Sequence, residues 1–192
     1  SLPEPLAYPA RLGRWPAAVG VFLFATYELV YADSSQPDKV AIASLVYAAL
    51  QLVGMATYGV EAWSRNGDGL GVYFGLFGAM APLRWHDGKL SVRPMFSGLT
   101  KIAVPAGSVP LLAVAIGTTT FDGMSENEFW TDTALAIQGV LEDVGIGATR
   151  GLEIAYLLGM LAVVVIAGAL FMLGVRGMRT VDNRISTNDL AR

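Results

Sequence analysis

The sequence predicts an all-α membrane protein: four transmembrane helices, an interfacial helix, a small cytoplasmic β-hairpin and an outer amphipathic helix. Three observations lead there. First, Ile154–Val175 carries no charge; as a helix it is about 33 Å long, near the hydrocarbon thickness of a bilayer. Second, the 192 residues are 54% apolar and only 15% charged, against the roughly 25% charged usual in soluble domains. Third, the basic residues fall almost wholly on one side of a four-span topology.

The chain reads as one integral membrane domain, residues 1–192. The opening, SLPEPLAYPARLGRWP, is a polar entry. Span one covers 15–31, with Pro16 at a helix start, where its missing N–H costs nothing, and Trp15, Tyr27 and Tyr31 at the interfaces. After the turn ADSSQPDK, span two covers 40–63. Its recurring small residues (Ala43, Ala48, Ala49, Gly54, Ala56, Gly59) predict close packing against neighbouring helices. SRNGDG breaks the helix. Leu70–Leu83 is too short to span and places Tyr73, Leu76, Phe77 and Met80 at helical spacing, so an interfacial or re-entrant helix ending before Pro82 is expected.

RWHDGKLSVR (84–93) carries an Asp87-Gly88 turn pair between short arms, the signature of a β-hairpin. Span three covers 101–120, with Pro105 and Pro110 kinking it or delaying its start. TTTFDGMSENEFW leaves the membrane. Thr131–Gly147 groups Ile137, Val140, Leu141 and Val144 against Gln138, Glu142 and Asp143, an amphipathic helix on the bundle or lipid surface. Span four covers 152–175. The close, TVDNRISTNDLAR, reads as a loop leaving the membrane. Together with an opening Ser1, it predicts a processed chain or a piece of a longer or split protein.

With the N-terminus in the cytoplasm, four spans return the C-terminus there. Of the 13 basic residues, only Lys39 and Arg150 then fall outside. The outer segments collect Asp33, Asp38, Asp122, Glu126, Glu128, Asp132, Glu142 and Asp143. This fits the excess of Lys and Arg in cytoplasmic loops and predicts the bacterial inner membrane with both termini inside.

Four polar residues stand out as candidates. Glu28 lies in the apolar run of span one, where burying a carboxylate costs a few kcal/mol; it sits one turn from the outer interface. Gln51, deeper and uncharged, is expected to tie helices together by a hydrogen bond. Thr120 and Asp122 mark the TFDG exit, where Asp122 either fixes a turn or cap or, with Glu126, Glu128 and Asp132, binds a hard cation such as Ca²⁺. Glu61 is expected to pair with Arg65 one turn on. His86 is the sole imidazole and reads as an exposed turn residue. There is no cysteine, so no thiolate metal site or redox thiol exists. The glycines of GDGLGVYFGLFG match no phosphate-binding fingerprint.

Several segments together resemble a known family. YPARLGRWPAAVGVFLFATYELVY, LVYAALQLVG, GDGLGVYFGLFG, DGKLSVRP and TTTFDG are similar to polytopic bacterial membrane proteins, common in actinobacteria and labelled "fenitrothion hydrolase". The likeness runs over most of 8–130 and more weakly through the last span. Its most specific parts are Thr120–Gly123 and the Gly67, Asp68, Val72, Tyr73 segment. The resemblance implies a polytopic membrane protein with an organophosphate-ester hydrolase label. Family members are longer, and their C-terminal histidine-bearing helix is missing from this chain, which therefore resembles a middle piece or one subunit of a split version.

Three functions follow. The first is a non-catalytic, structural or assembly subunit of a multi-subunit bacterial membrane complex. The second is a membrane-bound organophosphate-type hydrolase component, on the family resemblance; with one histidine the chain cannot build a multi-histidine site alone. The third is a small transporter or channel subunit using Glu28, Gln51 and the double-proline span. The partners expected are other membrane subunits and the lipid bilayer. The net charge of −3 argues against nucleic acid. No metal site or cofactor is assigned, with bound lipids the one candidate.

Overall fold

The computed structural model describes residues 4–86 and 88–179. Ser1, Asp87, the side chains of His86 and Arg179, and the closing TVDNRISTNDLAR segment with Arg184 and Arg192 lie outside the described residues. The described chain is mostly helical: α1 (Trp15–Leu29), α2 (Pro37–Tyr58), α3 (Val60–Asn66), α4 (Gly69–Met80), α5 (Ser108–Ser125), α6 (Glu128–Asp143) and α7 (Ala148–Arg179). Two strands, β1 (Leu83–His86) and β2 (Lys89–Val92), form an antiparallel hairpin with His86 opposite Lys89. The turn between them has Gly88 at φ +72°, the left-handed region that the expected Asp-Gly pair supplies.

The centre of the fold is α5. Its start is set by Gly107, whose left-handed φ of +82° breaks the chain after Pro105. A Cβ on Gly107 would lie 2.5 Å from the Trp15 nitrogen. Only glycine lets α1 and α5 begin side by side, and the Arg14 N–H donates to the Ala106 carbonyl there at 2.6 Å. From that junction the two helices run parallel, with Ala17, Ala18, Val21 and Ala25 buried on α1. The opposite face of α5 meets α7, which runs antiparallel: Phe121 lies against Gly159, Gly117 against Val164, and Ala113 against Gly168. These glycines let the backbones approach closely.

α6 packs on α7 through Trp130, Ala134 and Ile137. Phe121 and Trp130 meet edge to face with ring centroids 5.2 Å apart, and Tyr156 joins both. Phe121 and Met160 have no exposed surface. By contrast, α2 buries one residue, Gly54.

Two helices, α2 and α7, are long and apolar enough to cross a membrane. The four-span layout needs correcting in detail. α1 stops at Leu29 after 15 residues, short of the ~20 that a bilayer requires. The stretch expected as span two is interrupted at Gly59, at φ +85°. There the chain reverses, and Trp63 of α3 returns onto Gly54, filling the space a Cβ would occupy.

Span three does not begin at Lys101. That residue closes a 3-10 turn, and the regular helix starts only at Ser108. It then runs past the expected exit to Ser125, with the Thr118, Thr119 and Thr120 hydroxyls each donating to a carbonyl four residues back (2.8, 2.9 and 2.7 Å). The polar TTTFDGMS end keeps α5 from reading as a span. α7 begins four residues before the expected Leu152.

The apolar face of α6 is also turned from the expected one. Ile137 and Leu141 face the bundle with Trp130 and Ala134, whereas Val140 and Val144 are 65% and 70% exposed. Trp130 decides this, since its ring fits over Gly159.

Candidate functional site

α1, α4 and α5 enclose a groove of about 290 Å³. The helical period builds its walls. Val21, Ala25 and Glu28 follow one face of α1, and Ala115, Thr118, Thr119 and Asp122 one face of α5. Tyr73 and Phe74 enter from α4. Glu28 and Asp122, singled out separately in the sequence, thus line the same groove. Both are exposed rather than sealed in the core. Glu28 also borders a second groove of about 480 Å³ toward Gln138, Glu153 and Tyr156.

Asp122 neither fixes a turn nor caps a helix, because TFDG lies inside α5. Its carbonyl accepts from the Ser125 hydroxyl at 2.8 Å, and its side chain is left for the groove. The cap at the next helix is Asn127, whose side chain accepts from the Phe129 N–H at 3.0 Å. Among the described residues no group of three His, Asp or Glu side chains is placed to hold a metal ion. The acidic run Asp122, Glu126, Glu128 and Asp132 does not converge.

Thr120 diverges from Asp122. It borders a neighbouring groove of about 430 Å³ with Leu76, Phe77 and Met80. Gln51 is elsewhere again, accepting from the indole N–H of Trp63 at 2.7 Å and so joining α2 to α3. Glu61 and Arg65 form the expected one-turn ion pair, fully on the surface. The described residues therefore unite two of the four candidates and separate the other two.

Sequence reasoning missed a third polar feature. The Tyr47 hydroxyl donates to Asp68 at 2.5 Å, and Asp68 also accepts the Gly71 N–H at 3.1 Å as the N-cap of α4. Tyr47 lies halfway along α2, and Gly69 packs on α1 beside Ala17 and Val21. The start of α4 is thus held at mid-height of α1 and α2, as a re-entrant helix would be. Its other end is capped by Arg93, which donates to the carbonyls of Gly78, Ala79 and Ala81 at 2.8–3.0 Å. The available signal was Asp68 ahead of Gly-Leu-Gly, an N-cap residue where a helix starts.

Chemically, the Glu28–Asp122 groove presents oxygen: two carboxylates, two threonine hydroxyls and a phenol. No cationic side chain lines it. The threonine protons are committed to backbone carbonyls, so neither hydroxyl is offered to a base as a nucleophile. Such a wall attracts a cation or a protonated donor.

Comparison with protein-family models, curated proteins and solved structures finds no match.

Proposed function

We propose that this chain is a structural subunit of a larger bacterial membrane complex, crossing the cytoplasmic membrane several times with both termini inside. The observation that carries this is α2. Its outward face alternates small and large side chains, Ala41, Leu45, Ala48, Leu52 and Ala56, all exposed, with Leu45 and Leu52 at 70% and 67%. Small residues beside leucines are the surface on which membrane helices interlock. Within this chain α2 packs chiefly on α3, so the matching surface belongs to another subunit. Helix direction is consistent with the topology: α1 and α5, though short or polar-ended for spans, run one way and α7 the other.

The test is a photocrosslinking residue at Leu52, activated in native membranes. An adduct with a second membrane protein is expected. Lipid adducts alone, from a chain that purifies as a monomer, would overturn the reading.

One observation favours a second reading, a cation-transporting subunit: Glu28 and Asp122 face one oxygen-lined groove. Glu28→Gln with Asp122→Asn should then abolish cation flux into proteoliposomes while assembly persists. Unchanged flux excludes the groove as a path. The hydrolase reading rests on the family resemblance.

A further inference from the structure

We propose that the cavity between the starts of α1 and α5 and the end of α4 binds an anionic membrane lipid, with the lipid phosphate on Arg14 and an acyl chain along the apolar wall. This site is separate from the Glu28–Asp122 groove, and it rests on the membrane reading above.

The cavity measures about 390 Å³ and has one cation, Arg14, and one hydroxyl, Ser108, in its lining. Everything else is aliphatic or aromatic, including Leu76, Met80, Leu112 and Phe171. The Arg14 guanidinium is poorly satisfied. Its Nε is buried without a hydrogen-bond partner. Its Nη1 donates only to the Ser108 hydroxyl oxygen, at a long 3.5 Å. Ser108 meanwhile donates its proton to the Pro105 carbonyl at 2.8 Å. Among the described residues no carboxylate pairs with Arg14. A half-buried guanidinium left this way is costly unless an anion completes it.

Charge around the cavity selects the sign of the ligand. Between Gly69 and Phe121 the sequence has a single acid, Asp87, against Arg84, Lys89, Arg93 and Lys101. The starts of α1 and α5 add the positive ends of two helix dipoles. A guanidinium presents a planar fork of donors suited to phosphate, and the apolar wall beyond it suits a hydrocarbon tail. Together they fit an amphiphile with an anionic head rather than a free anion or a neutral apolar molecule. Burial also lowers the pKa of Arg14 from its usual value, a penalty that a bound anion reverses.

The experiment is native mass spectrometry on the purified full-length chain in detergent. Phosphatidylglycerol and phosphatidylcholine of identical acyl chains are titrated against wild type, Arg14→Gln and Leu112→Trp. Wild type should prefer phosphatidylglycerol by about tenfold or more, the worth of one charge-assisted contact. Arg14→Gln should fall to the phosphatidylcholine level, and Leu112→Trp, which fills the cavity, should weaken both lipids. Met80→Trp serves the same end should Leu112→Trp misfold.

Persistence of the preference in Arg14→Gln overturns the site. So does inorganic phosphate displacing the lipid at equal concentration, which would make it a simple anion site. Carbonate washing of native membranes keeps the two failures apart. Release of the chain into the wash sinks the membrane reading, whereas retention together with an unchanged Arg14→Gln preference sinks only the lipid site.

Discussion

The bundle of α1, α5, α6 and α7 and the arm of α2 and α3 have similar apolar compositions but opposite packing. In the bundle, glycines lie under large side chains: Gly159 under Trp130, and Gly117 against the backbone at Val164. In the arm, one glycine of α2 receives one tryptophan, and no other residue of α2 is fully buried. Hydrophobicity alone therefore does not say what a helix packs against. The pairing of a small residue with a large one across sequence decides it, and among the described residues α2 offers one such pair, Gly54 with Trp63.

The contrast can be broken from either side. Phe121→Ala should have the largest effect, about 3–5 kcal/mol, since it empties the centre of the bundle. Thermal unfolding in detergent reads it, and a loss below about 1 kcal/mol would mean that the bundle is not the stable unit. Gly117→Val should cost ~1–3 kcal/mol by overpacking, because even a Cβ there would lie 2.5 Å from the Val164 Cα; the same melt tests it.

Trp63→Phe removes the Gln51 bond and should cost about 1 kcal/mol, confined to the arm. Protease cleavage near Gly59 should rise while the bundle's melting temperature holds. A concerted drop would show that arm and bundle fold as one. Smaller still, Leu52→Ser should change the stability of the isolated chain by less than about 0.5 kcal/mol and, on the proposed docking of α2, weaken recovery of a second membrane protein.

The smallest effect concerns the tether from the N-terminal segment to the arm. The Tyr8 hydroxyl donates to the Gly13 carbonyl at 2.7 Å, and its ring meets Tyr58 and Trp63. Burial, and then the proximity of Tyr58, raise its pKa above the ordinary 10.0. The folded state thus holds this proton more tightly than the unfolded one. The stabilisation is complete below about pH 10 and declines as the pH rises from there through the raised value. Tyr8→Phe should flatten that decline in a pH series of unfolding midpoints; an identical slope would place the titration elsewhere.

What the sequence made legible is local. The uncharged run of α7, the Asp-Gly hairpin, the short α4 ending before Pro82 and the Glu61–Arg65 pair each follow from neighbouring residues. Gln51 does make a hydrogen bond, but to Trp63, which the sequence places in the same span. The errors share a cause. Gly59 looks like one more small residue in a helix, and its reversal depends on Trp63 reaching Gly54. TFDG looks like an exit, yet lies inside α5, where Phe121 is buried against Trp130 and Tyr156 from later in the chain. The turned face of α6 depends on Gly159, far along the chain. In the site, Glu28 and Asp122 were legible as individual residues, but their convergence required α1 and α5 to run parallel from the Gly107 junction. The Tyr47–Asp68 pair joins two segments whose local patterns are silent about each other.

That junction also sets a schedule. Arg14 and Ser108 are separated by 94 positions, so α1 leaves the ribosome long before the helix that covers its buried alanines. At about 5–20 residues per second the wait is roughly 5–20 s. Over that interval the 15-residue α1 has only the α2–α3 arm, α4 and the hairpin as company. The loosely packed arm is thus the part made early, and the tightly packed core closes last, once α7 arrives. The packing of α1 therefore depends on a helix that follows it by most of a hundred residues.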